Sequence, residues 1–189
     1  MQKIFSQELR FKDENGEDYP VWEEKNLSEV SDIKTGNKDL KDKIFDGKYP
    51  FFVRSDNIER INSYSYDGEA ILIPGDGRIG EVYHYINGKF DYHQRVYKIS
   101  DFGENSGRYI YYYLKKNFYR QAIKNSVKAT VDSLRLPTIK KMPIQLPNLS
   151  EQIKIANFLL YVDFKIEKID KEIETNKVFK NGLMQQMFC

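Results

Sequence analysis

Gly75-Asp76-Gly77-Arg78-Ile79-Gly80 matches G-x-G-x-x-G, a spacing with a known use in phosphate binding. In a dinucleotide site the third glycine opens a helix, so that phosphate meets the unpaired amides of the first turn. Here Glu81-Val82-Tyr83-His84-Tyr85-Ile86 follows, and its β-branched and aromatic residues predict a strand. The dinucleotide reading is therefore rejected. What remains is a tight loop whose glycines let the backbone approach a ligand, with Arg78 as the side chain offered to it. The two histidines, His84 and His93, stand among strand-like residues and read as polar or core groups rather than metal ligands. The single cysteine, Cys189, excludes an internal disulfide framework and a multi-cysteine metal site.

Charge carries more information than any of these residues. The net charge of +2 conceals a segregation along the chain. Residues 1 to 50 and 51 to 107 each balance to −3, whereas residues 108 to 141 hold nine basic groups and one acid, Asp132. Tyr109, Tyr111, Tyr112, Tyr113, Phe118 and Tyr119 are interleaved with that basic run. The pattern points to a polyanion partner. The tyrosines themselves are assigned to the core rather than to base stacking, since recognition of a duplex leaves its bases stacked.

The elements that must position these groups are legible in order. Residues 1 to 20 are polar and turn-rich, with a loop around Asn15-Gly16. Val21 to Gly36, with Trp22 as an anchor, predicts a strand and then a turn of helix or a second strand. Thr35 to Lys43 is expected to be a surface loop. From Tyr49 the pattern is β: YPFFVRSDNI, AILIP, EVYHYI and FDYHQRVYKI, separated by turn signals. Asn105-Ser106-Gly107 opens a helix through Lys124 whose aromatic face packs on the sheet, leaving Lys115, Lys116, Arg120 and Lys124 outside. LPTIKKMPIQLP returns as a turn and a strand.

The last segment, from Asn148, is the one around which the rest is arranged. Ile155, Leu159, Val162, Ile166, Ile169, Ile173, Leu183 and Met187 fall at alternating steps of four and three, a heptad seam in which Asn176 and Lys180 fill the intervening positions. Polar seam residues fix register and partner at some cost in stability. Six acidic and six basic residues, from Glu151 on, are assigned to outward positions. Pro147 stops the preceding strand, and Asn148 with Glu151 has capping-box spacing. One helix of this length runs roughly 55 Å, more than a small domain needs for its own core.

The expected fold class is therefore α+β: a compact mixed α/β domain over residues 1–147, followed by one long coiled-coil helix over 148–189. No run approaches the roughly 18 apolar residues of a membrane span, and MQKIFSQELR lacks a signal-peptide core. A cytoplasmic protein is expected. Met1-Gln2-Lys3-Ile4-Phe5 also echoes Met184-Gln185-Gln186-Met187-Phe188, as if one unit of a tandem repeat had been cut at equivalent points.

These residues resemble the specificity subunits of Type I DNA restriction and modification systems. The resemblance is carried by IQLPNLSEQIKIANFLLYVDFKIEKI with KNGLMQQMF, which looks like the family's conserved helix. ELRFKDENGEDYPVWEEKNLSEV, GRIGEVY and SVKATVDSLRLPTIKKMPIQLP support it, so that it covers most of the chain. Such subunits have two recognition domains and two long helices that pair antiparallel, whereas this chain has one of each. It is either a natural half-subunit or the second half of a longer one. The resemblance implies a non-catalytic DNA-recognition subunit that reads one half of a split target in double-stranded DNA. Methyltransferase subunits would dock on the helices, the restriction subunit would join through them, and two copies would pair through the last helix. No cofactor is implied, neither S-adenosylmethionine nor ATP, and no metal; no Asn-Pro-Pro-Tyr or Asp-Pro-Pro-Tyr element, P-loop or paired metal-binding carboxylate motif is evident in the sequence.

Within that reading, loop placement nominates Lys34, Asn37, Lys38, Arg54, Ser55, Arg78, His93, Gln94, Arg95, Lys128 and Thr130 as DNA contacts, since Arg and Lys serve guanine edges or phosphates and Asn, Gln and Ser read or position. The helix seam from Ile155 to Met187 is nominated as the pairing interface. Two other classes stay open: a DNA-binding regulator with a dimerisation coiled coil, and the recognition half of a nuclease or methyltransferase.

Overall fold

In the computed structural model, which describes residues 1–124 and 133–187, a curled sheet, one internal helix and the start of a long terminal helix share a core. The amino terminus is more ordered than its polar composition predicts. α1 (Gln2–Phe5) buries Ile4, and Phe5 stands edge-on to Tyr109 and Tyr113 at 5.9 and 5.5 Å. A strand, β1 (Glu23–Asn26), then leads through a 3-10 turn, Leu27–Glu29, into β2 (Asp32–Thr35), so that both alternatives read from this stretch are used in succession.

Six strands form the main sheet: β2, β3 (Tyr49–Phe52), β4 (Ile58–Ile61), β5 (Tyr66–Pro74), β6 (His84–Tyr92) and β7 (Val96–Ser100). Their order is β2-β7-β5-β6-β3-β4, antiparallel except where β3 runs parallel to β6. β1 pairs separately with β8 (Pro143–Leu146). Two sequence-based boundaries move. Residues 81–83 lie outside the strand, and His84-Tyr85-Ile86 runs on through Asn87, Gly88 and Lys89 into Phe90-Asp91-Tyr92 as one strand, in which Gly88 lies opposite Gly68, both at positive φ (144° and 150°). That pair of residues without side chains lets the hairpin bend, and Tyr66 curls over β7 until the Lys98 ammonium lies 3.6 Å from its ring. FDYHQRVYKI, expected as one strand, breaks at residues 93–95, where the Arg95 amide donates to His93 Nδ1 at 2.9 Å.

α2 (Gly107–Lys124) lies between the sheet and the last helix. Its tyrosines at 109, 112 and 113 are buried, while Lys115, Lys116 and Arg120 are exposed, as the aromatic periodicity predicts. A short α3 (Leu136–Lys140) precedes β8, and Pro147 separates β8 from α4 (Leu149–Met187).

α4 is unbroken over 39 residues, roughly 58 Å at 1.5 Å per residue. Asn148 caps it, accepting from the Glu151 amide at 2.9 Å. Two expectations for this helix are corrected. Glu151 is fully buried, its carboxylate bound by Arg10 and by Trp22 Nε1, because the amino-terminal arm folds across the first turns. The seam also changes environment along its length. Ile155 and Leu159, 0% and 3% exposed, belong to the domain's own core and cannot face a partner; Val162 is half-buried; Ile166, Ile169 and Ile173 are 53%, 52% and 46% exposed. Asn176, Lys180 and Leu183 are exposed too, and Met187 ends the helix. Among the described residues no helix is long and apolar enough to cross a membrane.

Candidate nucleic-acid interface

The β5–β6 connection holds the glycine-rich loop, and its conformation follows from two of its glycines. Gly77 and Gly80 both take positive φ, and a Cβ on Gly80 would lie 2.4 Å from the Tyr119 ring, so the loop seats directly on the end of α2. On its other side the loop is tied to the chain that follows α2: Asp76 bridges Ser133, and the Leu134 amide donates to the Gly75 carbonyl at 2.7 Å. The sequence expects these glycines to let the backbone approach a ligand; at Gly80 the close approach is made to the Tyr119 ring of the chain itself.

Around this loop three arginines are held by carboxylates. Arg54, from the β3–β4 turn, donates to both Asp76 oxygens at 3.2 and 3.3 Å, and Arg95, from the β6–β7 turn, lies 3.6 Å from Asp76 Oδ2. Arg78 donates through Nε to Glu81 at 3.0 Å and through Nη1 to Asp56, and these two carboxylates raise its pKa. All three guanidinium side chains remain half exposed or more. Exposed ion pairs add little net stability. Their effect is orientation: an arginine held on one edge presents its remaining N–H groups in a fixed direction, as bidentate reading of a guanine requires.

The flanking candidates join the same set. Gln94 donates to Asp39 at 2.8 Å through its side chain and to the Lys38 carbonyl through its backbone, and Asn37 is exposed beside it. The Ser55 carbonyl lies 2.9 Å from His84 Nε2, and the Ser55 side chain is half-buried. His93 is placed differently from the nominated role. It is buried, its amide donates to the Phe52 carbonyl, and its Nδ1 accepts from Arg95, so it shapes the turn that carries Gln94 and Arg95. Burial first, and Arg54 next, lower its pKa. Lys34 stands apart on β2, paired with Asp32 at 2.8 Å. Lys128 and Thr130 lie outside the described residues.

Sequence reasoning missed the acids. Asp39, Asp56, Asp76 and Glu81 balance Lys38, Arg54, Arg78 and Arg95, so this cluster is not a positive patch. The signal was present, since Asp76 lies inside the glycine motif and Glu81 three residues after Arg78. Positive charge with no ion pair among the described residues sits instead on α2, at Lys115, Lys116 and Arg120, next to the Tyr119 on which the loop rests. The two surfaces suit different halves of duplex binding: fixed arginines for base edges, exposed cations for phosphate. No group of three or more His, Cys, Asp and Glu side chains converges as a metal site among the described residues.

A second surface lies on α4. Beyond Asp163 the seam residues Ile166, Ile169, Ile173 and Leu183 are exposed on a helix whose flanks carry the ion pairs Glu167–Lys171 at 2.6 Å and Glu174–Lys177 at 3.7 Å. Nearer its start, Ile153, Leu160 and Phe164 are exposed on the side away from Ile155 and Leu159.

Comparison with known proteins gives the family and the fold. A sequence model of the family described as the Type I restriction modification DNA specificity domain matches residues 20–176. The chain is 29% identical over 156 residues to the Type I restriction enzyme EcoDI specificity subunit of Escherichia coli, covering 82% of this chain and 33% of that protein. It is 25% identical over 140 residues to a putative type I restriction enzyme specificity subunit of Haemophilus influenzae, covering 71% and 36%. Its fold is similar to that of the S subunit of a Type-I restriction-modification system from M. genitalium, with a TM-score of 0.67, 22% identity and coverage of 82% and 42%. The HsdS subunit from Thermoanaerobacter tengcongensis aligns at a TM-score of 0.58, with 18% identity and coverage of 80% and 40%. The chain thus spans about a third of the length of the curated relatives it matches.

Proposed function

Because the chain belongs to the family of Type I restriction-modification DNA specificity domains, we propose that it reads one half of a bipartite target in double-stranded DNA and pairs with a second copy through α4. Arg54, Arg78, Arg95 and Gln94 are the proposed base readers, with Lys38, Asn37 and Ser55 at their margin and Lys115, Lys116 and Arg120 holding phosphate. Lys34 contributes at the periphery, Lys128 and Thr130 are proposed as further DNA contacts, and His93 supports the β6–β7 turn. Residues 1–147 are the reader and 148–189 the spacer, with the first three turns of the spacer rooted in the reader. Methyltransferase subunits dock on the helical spacer and bring the restriction subunit with them. The chain itself transfers no group and takes no cofactor, and its DNA target sets it in the cytoplasm.

The observation that supports this most is α4 itself. One helix is rooted in the domain at Ile155 and Leu159 and continues the same seam, exposed, through Ile166, Ile169 and Ile173. A two-fold antiparallel pairing of such helices turns two identical readers toward opposite half-sites, so the target is symmetric and interrupted.

The test is methylome sequencing of cells expressing this chain with its methyltransferase, combined with sedimentation of the purified complex. A symmetric, interrupted methylated motif and a dimeric chain are the expected results. A monomer at tens of micromolar with DNA and methyltransferase present overturns the pairing. Tight operator binding with no methylation replaces this reading by that of a coiled-coil regulator. At the level of residues, Arg78→Ala should relax preference at one base position by about tenfold. Lys115→Ala should weaken all sequences alike and reduce the salt slope by about one.

A further inference from the structure

We infer that Glu151 and Gln152 form a joint that fixes the angle at which α4 leaves the reader, and that this angle, together with helix length, sets the DNA gap the protein accepts. The inference rests on the paired-reader function proposed above.

Neighbouring residues on a helix point about 100° apart, so these two side chains engage different parts of the domain. Glu151 holds the amino-terminal arm. Its Oε1 and Oε2 accept from Arg10 Nε and Nη2 at 3.2 and 2.7 Å, and Oε2 also accepts from Trp22 Nε1 at 3.0 Å. Arg10 in turn donates to the Tyr19 and Pro20 carbonyls, closing the arm on itself. Gln152, also buried, holds the start of α2: its Oε1 accepts from the Ser106 amide at 2.9 Å and its Nε2 donates to Asn105 Oδ1 and the Pro147 carbonyl at 3.0 and 2.8 Å.

Further contacts continue along the same turns. Phe11 packs edge-on against Phe158 at 5.6 Å, and Lys154 Nζ donates to the Lys12 carbonyl. Three turns after Glu151, Asp163 accepts from the Tyr112 hydroxyl at 2.9 Å. Beyond Asp163 the helix is exposed.

The chemistry of the joint explains its use. Ile155, Ala156 and Leu159 glue the helix to the core, but apolar contact is non-directional and tolerates rocking. Hydrogen bonds accepted by a buried carboxylate, and accepted and donated by a buried amide, have fixed geometry and are costly to break one at a time. The free part of α4 runs roughly 36 Å past Asp163, so a tilt of about 5° moves its end by about 3 Å, close to the ~3.4 Å of one base-pair step. A rod that sets spacing to a single base pair needs a root stiffer than that.

Two measurements test the joint. Binding of the full chain, with its methyltransferase, is read on duplexes carrying its half-sites at varied gaps. Wild type is expected to favour one gap over its neighbours by about tenfold or more, the usual cost of one lost contact. Glu151→Gln and Tyr112→Phe, which keep side-chain volume, should leave the half-site bases unchanged and reduce that preference to about twofold. The same gap preference in both variants overturns the inference. Absence of any interrupted target for wild type overturns the paired-reader function instead. The joint is then decided by spin-label distances between Asn87→Cys and Lys177→Cys, in a Cys189→Ser background diluted with unlabelled chain. A broader distribution in the variants upholds it, and an unchanged width overturns it.

Discussion

Arg54 donates to both carboxylate oxygens of Asp76, at 3.2 and 3.3 Å, from a turn that is 22 residues away in sequence. Asp76 also faces Arg95, so one acid orients two cations drawn from two different turns. Asp76→Asn keeps the shape and removes the charge. The arginines then swing free, gaining phosphate contacts and losing their fixed direction. Affinity for random duplex is expected to rise, while the ratio of target to random binding falls by about tenfold, within the range of one bidentate pair. Titration of both duplexes at one salt concentration measures this, and thermal unfolding should be nearly unchanged.

Gly80 and Gly77 test the loop's seating. Both need positive φ, but only Gly80 would drive a Cβ into Tyr119; around Gly77 the space is open. Gly77→Ala should cost about 1–2 kcal/mol from backbone conformation alone. Gly80→Ala adds the collision to the same strain, and should cost about 3 kcal/mol or more. Paired urea titrations give the difference. Equal losses at the two sites would mean that Tyr119 moves aside and the loop is not braced on α2.

What was legible in the sequence follows the range of the interactions involved. The capped start of α4, the aromatic face of α2 and the strand-rich middle are local patterns, and the structure has them. The break at His93 was hidden because its causes are a lone pair accepting the Arg95 amide and a bridge to Lys38, neither visible as periodicity. Glu151 reads as outward from sequence because a helical wheel does not show an arm folding over it. The heptad spacing lies on one continuous helix, yet spacing alone does not distinguish Ile155, which docks on its own domain, from Ile173, which does not. The candidate readers read as loop residues, and two of them, Arg54 and Arg95, meet at Asp76; the acids that hold the arginines stand outside a pattern read from positive charge.

His93 makes stability depend on pH. Burial and Arg54 lower its pKa below the ordinary 6.5, so the unfolded chain binds a proton that the folded chain resists. The unfolded state therefore holds more protons in this window, and stability rises with pH. Its contribution is fully present above about 6.5 and is lost as pH falls through the lower, folded value. Urea midpoints of wild type and His93→Asn, measured from about pH 8 to about pH 5, should converge as the pH drops. Asparagine preserves an acceptor for the Arg95 amide, so parallel curves would show that His93 does not titrate in this range.

The two halves of the α4 seam should respond oppositely to the same kind of change. Ile155 is fully buried in the domain, so Ile155→Ala leaves a cavity and should cost about 2–5 kcal/mol in unfolding. Ile169 is 52% exposed, and Ile169→Ala should change unfolding of the dilute chain by no more than about 0.5 kcal/mol. Its effect belongs to association. Removing one apolar knob from a two-fold pairing removes it twice per dimer, so the dissociation constant should rise by at least about tenfold. Sedimentation equilibrium of the two variants over a concentration series separates these outcomes. If Ile169→Ala leaves self-association untouched while Ile155→Ala alone has an effect, the exposed seam serves another partner, and the methyltransferase becomes the one to test on it.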